Sequence, residues 1–226
     1  MLINSYAFAA ATASDPNFSN VSLLLHGNGA NGSTSIIDSS PSPKTVTAVG
    51  NAQISTAQSK FGGASIAFDG TGDTLTVNSN LLDGSTWTAE AWIRPAPIGT
   101  NERTIFSQYN SANANRTIFS ITTTGSIKLF NGAQGTTTSS ATITANQWYH
   151  IAFVRSSATT VTAFLDGIQV AQKTNFAGPT STTTMIGGYF GFPDDQWNGW
   201  MDDIRVTTVA RYTANFTPPT GPFPDS

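Results

Sequence analysis

Apolar and polar residues alternate with a period of two along most of this chain, and a helical period of 3.6 is nearly absent. Strand-like runs recur between clusters of Gly, Asn, Asp and Pro. "VSLLLHG" begins at Val21, and "GASIAFDG" and "DTLTVNS" flank a turn at Gly70–Gly72. "WTAEAWIRP" places Trp87, Ala89, Ala91 and Ile93 on one face and Thr88, Glu90, Trp92 and Arg94 on the other, and Pro95 ends the ladder. "RTIFSQY", "TIFSITT", "SIKLFNG", "WYHIAFVR", "TTTMIGGYF" and "GWMDDIRVT" follow the same pattern, with Thr124–Gly125 as a hairpin turn. "TVTAFLDGIQVAQ" is the clearest hairpin, because Asp166–Gly167 supplies the positive φ angles of a type I′ turn.

At least ten short strands and no convincing helix predict an all-β fold, with two antiparallel sheets that cover one another. No linker splits the chain. The predicted organisation is an N-terminal arm (1–20), one β domain (21–212) and a Pro-rich tail (213–226) that cannot join a central strand. The opening "MLINSYAFAAATASDPNFS" lacks a basic region, so it reads as an arm rather than a signal peptide.

Composition narrows the chemistry. Only 10% of residues are charged and the net charge is −3, which argues against a nucleic-acid partner. No run approaches the roughly 20 apolar residues that a membrane-spanning helix needs, so no membrane insertion is expected. The absence of cysteine removes disulfides and thiolate metal sites.

The pieces "LLLHGNG", "GGASIAFDGTGDTLTV", "WTAEAWIRP", "QWYHIAFVR", "AFLDGIQVA", "MIGG" and "NGWMDDIRV" occur in that order. The ordered set resembles the concanavalin A-like jelly roll of the laminin-G-like family. The ending "DDIRVTTVARYTANFTPP" is similar to laminin-G-like modules of bacteriophage virion proteins. The resemblance implies a two-sheet jelly-roll sandwich and a non-catalytic structural or adhesive subunit of a virus particle. Such a subunit, a capsid decoration or a fibre or tail-surface protein, is assembled in the host cytoplasm and able to bind a host-surface glycan. The alternative is a secreted bacterial carbohydrate-binding module.

Hydrolases of this fold place two glutamates on one strand, and glycoside hydrolysis needs two carboxyl groups about 5–9.5 Å apart. Here the only glutamates, Glu90 and Glu102, fall in separate runs. His26 and His150 accompany no recognisable nucleophile, and structural roles account for both. No enzymatic activity is expected.

Asp202 and Asp203 stand side by side in a strand, where a regular geometry points them to opposite faces. Three readings are open: a structural calcium ion, an ion pair with Arg205 or Arg211, or solvent exposure. The resemblance implies the calcium, with Asp202 as ligand and Asp69 in the co-ligand region. The run "GGYFGFPDDQW" gathers Tyr189, Phe190, Phe192 and Trp197 in a turn-rich loop. It either caps the sandwich or forms a glycan- or protein-binding surface. Trp87, Trp92 and Trp148 sit at strand positions expected to be core. The tails hold Phe8, Phe216 and Phe223, and are expected to dock on other virion proteins or copies of the same chain.

Overall fold

The structure, a computed structural model, describes residues 14–108, 116–179, 181–191 and 194–226. Among the described residues fifteen strands form two antiparallel sheets, and helix is limited to single 3₁₀ turns at Phe18–Asn20 and Gly132–Gln134. The first sheet holds eight strands: β1 (Val21–Leu25), β3 (Gln53–Ser55), β4 (Ser65–Asp69), β6 (Trp87–Pro95), β11 (Tyr149–Ser157), β12 (Thr160–Leu165), β13 (Ile168–Lys173) and β15 (Asn198–Thr207). Their order is β13-β12-β11-β6-β15-β4-β3, with β1 also paired to β15. The second sheet runs β10 (Thr136–Thr142), β9 (Ser126–Asn131), β8 (Thr117–Ile121), β7 (Arg103–Gln108), β14 (Thr184–Ile186), β5 (Thr74–Val77) and β2 (Val46–Val49).

One core fills the space between the sheets. The inward residues of β6 are Trp87, Ala89, Ala91 and Ile93, as the alternation predicts. Phe119 of β8 stacks on Phe153 of β11 across the interface, with centroids 4.4 Å apart. Such an offset aromatic pair adds about 1 kcal/mol to its burial. The Asp166–Gly167 turn has φ angles of 47° and 78°, the type I′ geometry that sets Leu165 of β12 opposite Ile168 of β13. The turn at Gly70–Gly72 carries the chain from β4 in one sheet to β5 in the other.

The first sheet is covered on its outer side as well, so eight of the nine residues of β6 are buried. The cover is the chain's own end. Ala210, Tyr212 and Phe216 pack over Ala152, Val154 and Phe164, and Tyr212 stacks on Phe216 at 3.6 Å. Phe223 is only 2% exposed and packs with Val21, Leu24 and Phe18. The amide of Asp15 donates to the carbonyl of Ser226 at 2.9 Å, so the two segments meet. The expectation of tails docked on another chain is therefore corrected for residues 216–226, whose aromatic side chains complete this domain's own surface. Apolar outer residues on β11 and β12 are the reason: without a cover they would face water. Phe8 and the rest of residues 1–13 lie outside the described residues.

Candidate functional site

The paired aspartates answer to the backbone. Between Asp202 and Arg205 the β15–β6 register slips by one residue, and Asp203 takes a φ of 48°. This β-bulge turns both carboxylates to the outer side of the sheet, whereas a regular strand would separate them. They serve different partners. Asp202 Oδ2 accepts from the amides of Lys60 and Phe61 at 2.7 and 3.0 Å. Burial raises its pKa to about 6, against the pull of those two amides. Asp203 Oδ1 lies 2.6 Å from His26 Nδ1, and its Oδ2 accepts from the amide of Phe223 at 2.5 Å. That bond to Asp203 raises the His26 pKa. Asp203 thus latches the C-terminal segment, and His26 beside it lines a groove of 470 Å³ with Pro222, Phe223 and Asp225.

Asp69 and Asp202 do not share a site. Asp69 pairs with Asn198, four residues along β15 from Asp202, which separates them by about 13 Å. The Asp69 carboxylate accepts from Asn51 Nδ2 and the Thr71 amide at 2.9 and 2.8 Å. Among the described residues no three His, Asp or Glu side chains gather at metal-binding spacing. The residues present do not fit the calcium site expected from Asp202 and Asp69.

Arg205, the ion-pair candidate, takes a different acid. Its guanidinium donates to Glu90 Oε1 through Nε and Nη2 at 2.9 and 2.8 Å, and to Asp15 Oδ2 at 3.1 Å. Arg211 Nη2 donates to Asp15 Oδ2 at 2.5 Å, and the Tyr212 hydroxyl to Glu90 Oε2 at 2.8 Å. Glu90 is fully buried, which would raise its pKa, but Arg205 and His150 hold it at about 2. His150, with its ring wholly enclosed, meets Phe216 and Phe223 edge-on. This network fixes the cover. It leaves neither Glu90 nor His150 open to a substrate.

The loop candidates divide. Trp197 is fully buried in the inter-sheet core, so its expected place in a binding surface is corrected. Its amide is held by the Gly187 carbonyl at 2.7 Å, which draws the ring inward just before β15 begins. Phe192 lies outside the described residues. Phe190 is 54% exposed, and Tyr189 is half-buried with its hydroxyl donating to Asp195 Oδ2 at 2.9 Å. Burial, then the Asp195 carboxylate, raises the Tyr189 pKa, so the phenol stays a donor. Of the other tryptophans, Trp87 is core, Trp92 is buried under Lys60 on the outer face, and Trp148 is only half-buried ahead of β11.

Tyr189 borders a cleft of 90 Å³ on the outer face of the seven-stranded sheet. Glu102, Arg116, Ile118, Lys128 and Phe130 complete it. Lys128 Nζ donates to both Glu102 oxygens at 2.7 and 2.6 Å, and Ser120 Oγ donates to Glu102 Oε2 at 3.2 Å. The Arg116 guanidinium lies over Phe130 at 5.0 Å. Strand alternation on β9 turns Lys128 and Phe130 outward while Ile127 and Leu129 enter the core. The cleft therefore offers an aromatic ring, two cations, a carboxylate and a phenol at one place. The sequence singled out Tyr189; the other members come from three separate stretches, Glu102, Arg116 with Ile118, and Lys128 with Phe130, and the sheet register brings them together.

A laminin-G-type family model, described as the concanavalin A-like lectin/glucanases superfamily, matches residues 69–215. The chain belongs to this family. No curated protein matches it in sequence. Among solved structures it is similar to domain 4 of AbnA, a GH43 extracellular arabinanase from Geobacillus stearothermophilus, in complex with arabinotriose. That likeness has 20% identity and a TM-score of 0.64, over 84% of this chain and 93% of that one. It is also similar to the botulinum neurotoxin serotype D binding domain (15% identity, TM-score 0.63), covering 87% of this chain and 50% of that one. The binding domain of Paraclostridial Mosquitocidal Protein 1 gives 16% identity and a TM-score of 0.64, covering 86% and 50%. The chain spans about half the length of both toxin domains. At these identities the likeness is one of fold.

Proposed function

We propose that this member of the superfamily is a non-catalytic glycan-binding module that holds its ligand on the outer face of the seven-stranded sheet. The observation that carries the reading is the cleft of Glu102, Arg116, Lys128, Phe130 and Tyr189 on a face that no described segment covers with apolar side chains. Charged and phenolic groups beside a ring suit a saccharide, whose hydroxyls both donate and accept and whose C–H faces stack on aromatic surfaces. The solved structure with arabinotriose supports a saccharide as ligand class for this architecture. Against catalysis stand the two glutamates. Glu90 lies in the eight-stranded sheet under its cover, and Glu102 faces outward from the other sheet. The sheets alone separate them by about 10 Å, and the outward positions add to that, beyond the spacing for glycoside hydrolysis.

The setting we propose is the surface of a bacteriophage particle, supported by the "DDIRVTTVARYTANFTPP" ending. A secreted binding module is the second reading, supported by the arabinanase domain. A glycan array probed with the labelled chain tests the function. Binding is expected, and Phe130→Ala and Arg116→Ala should each weaken it about tenfold, with no reducing ends released. Binding that survives both substitutions would remove the cleft from the proposal. Mass-spectrometric detection in purified virus particles, or its failure, decides the setting.

A further inference from the structure

A second recess lies on the opposite sheet, at the end that the C-terminal segment leaves open. It measures 480 Å³ and is lined by Asn51, Gln53, Ala67, Asp69, Asn198 and Trp200. Its shape follows from register. Gln53 of β3 pairs with Ala67 of β4, Ala67 with Trp200 of β15, and Trp200 with Arg94 of β6. These four form one row across the outer face. Ala67 is the small member, so a trough runs between Gln53 and Trp200. Two strand spacings make it about 9.6 Å wide from backbone to backbone, enough for one sugar ring. In the next row Asp69 pairs with Asn198 and closes one end.

The acidic end of the trough is set in place before any ligand arrives. Asp73, fully buried, accepts from the amides of Asn51 and Asp69 at 2.5 and 2.6 Å. Asn51 then donates to Asp69. Gly70, at φ 86°, gives Asn198 its room, since a Cβ there would lie 2.8 Å from the Asn198 Cβ. The carboxamides of Gln53 and Asn198 hold no hydrogen bond among the described residues. Arg94 approaches Trp200 from the β6 side at 5.5 Å and donates to Asn146, so the trough side of the indole is left to a ligand.

We propose that this trough is a second binding site, for a neutral sugar ring stacked on Trp200 and hydrogen-bonded by Asp69, Asn198 and Gln53. Carboxamides match vicinal hydroxyls because each both donates and accepts, and a carboxylate adds two acceptors. The single charge facing the trough is negative, which disfavours uronic and sialic acids. An anionic peptide is disfavoured for the same reason. The site is independent of the cleft on the other sheet: no residue belongs to both.

The test uses the full ¹⁵N-labelled chain, titrated with methyl glycosides and trisaccharides of glucose, galactose, mannose and arabinose. The Trp200 Nε1–H is shielded and without a protein acceptor, so it gives a persistent NMR signal, assigned with Trp200→Phe. At least one probe should shift it saturably with a Kd of about 1 mM. Trp200→Ala should weaken that binding about tenfold. Ala67→Leu, which fills the trough from a half-exposed outer position, should abolish it with the fold intact, and Phe130→Ala should leave it unchanged. No saturable shift at Trp200 with any probe, or undiminished binding by Ala67→Leu, overturns the proposal. Loss in Phe130→Ala alone assigns the sugar to the cleft and likewise overturns it.

Discussion

The two outer faces of this sandwich carry the same chemical pair and use it in opposite ways. On the eight-stranded sheet, Glu90 meets Arg205 under a layer of Tyr212, Phe216 and Phe223, with side-chain exposures of 0% and 4%. On the seven-stranded sheet, Glu102 meets Lys128 with exposures of 29% and 20%. Both are close contacts. Desolvation sets them apart. The enclosed acid must be matched by Arg205, His150 and Tyr212, because an unmatched charge there has no water to turn to. The open pair has water as an alternative partner and can exchange it for a ligand. A carboxylate–cation contact is thus a fastening in one place and a binding group in the other, and its surroundings decide which.

The largest effect should follow from breaking the enclosed pair. Glu90→Gln leaves Arg205 and Arg211 sharing Asp15 alone, and should destabilise the domain by about 3–5 kcal/mol in urea denaturation. The same residue sets an acid slope. Its pKa is about 2 when folded and 4.5 ordinarily, so its contribution is complete above pH 4.5 and is lost as pH falls toward 2. The contribution is on the order of 3 kcal/mol. Glu90→Gln should flatten the wild-type slope in that window. A loss under about 1 kcal/mol with the slope intact would show that the enclosed network is no fastening.

Next in size is the cover itself. Phe223 is nearly fully buried and covers the Arg205 guanidinium, which lies 3.7 Å from its ring centre. Phe223→Ala should cost about 3 kcal/mol. Deleting residues 213–226 should go further but leave the sandwich assembled, since the inter-sheet core contains none of them. Circular dichroism would then keep its β signature while limited proteolysis becomes faster. A deletion that melts like the full chain would show the cover to be dispensable.

How far the sequence foretold this follows the same contrast. Strands that enter the core announced themselves: β6 and β11 alternate cleanly because every second residue is committed to the interior. The strands that went unread, β2, β3 and β10, are all at sheet edges. An edge strand buries little, and "TTTSSAT" of β10 encloses one residue of seven. Asp166–Gly167 was legible as a turn. Its second duty was not: a Cβ at Gly167 would collide with the Phe216 carbonyl, where the C-terminal segment docks. The meaning of Asp202 and Asp203 was hidden for a related reason. A bulge depends on both strands of the pair, and one strand's residues do not declare it. Trp197 misled because its neighbours in sequence are turn residues, while its neighbours in space are core. Gln53, Ala67 and Trp200 meet only through register, which no local pattern records.

The smallest effect should come from the open pair, and its smallness is the point. Lys128→Ala removes the ammonium that bridges both Glu102 oxygens. Glu102 keeps the Ser120 hydroxyl and gains water, so no charge is stranded. Exposed pairs of this kind contribute about 0–1 kcal/mol, because two long side chains give up rotamer freedom for a screened attraction. Lys128→Ala should therefore shift the urea midpoint by less than a fifth of the Glu90→Gln effect, taking about 0.5 kcal/mol against the larger loss. The shift should shrink further in about 1 M salt, where the Debye length falls to ~3 Å. A loss as large as that of Glu90→Gln would mean that the cleft is also held shut by its charges, and the contrast between the two faces would collapse.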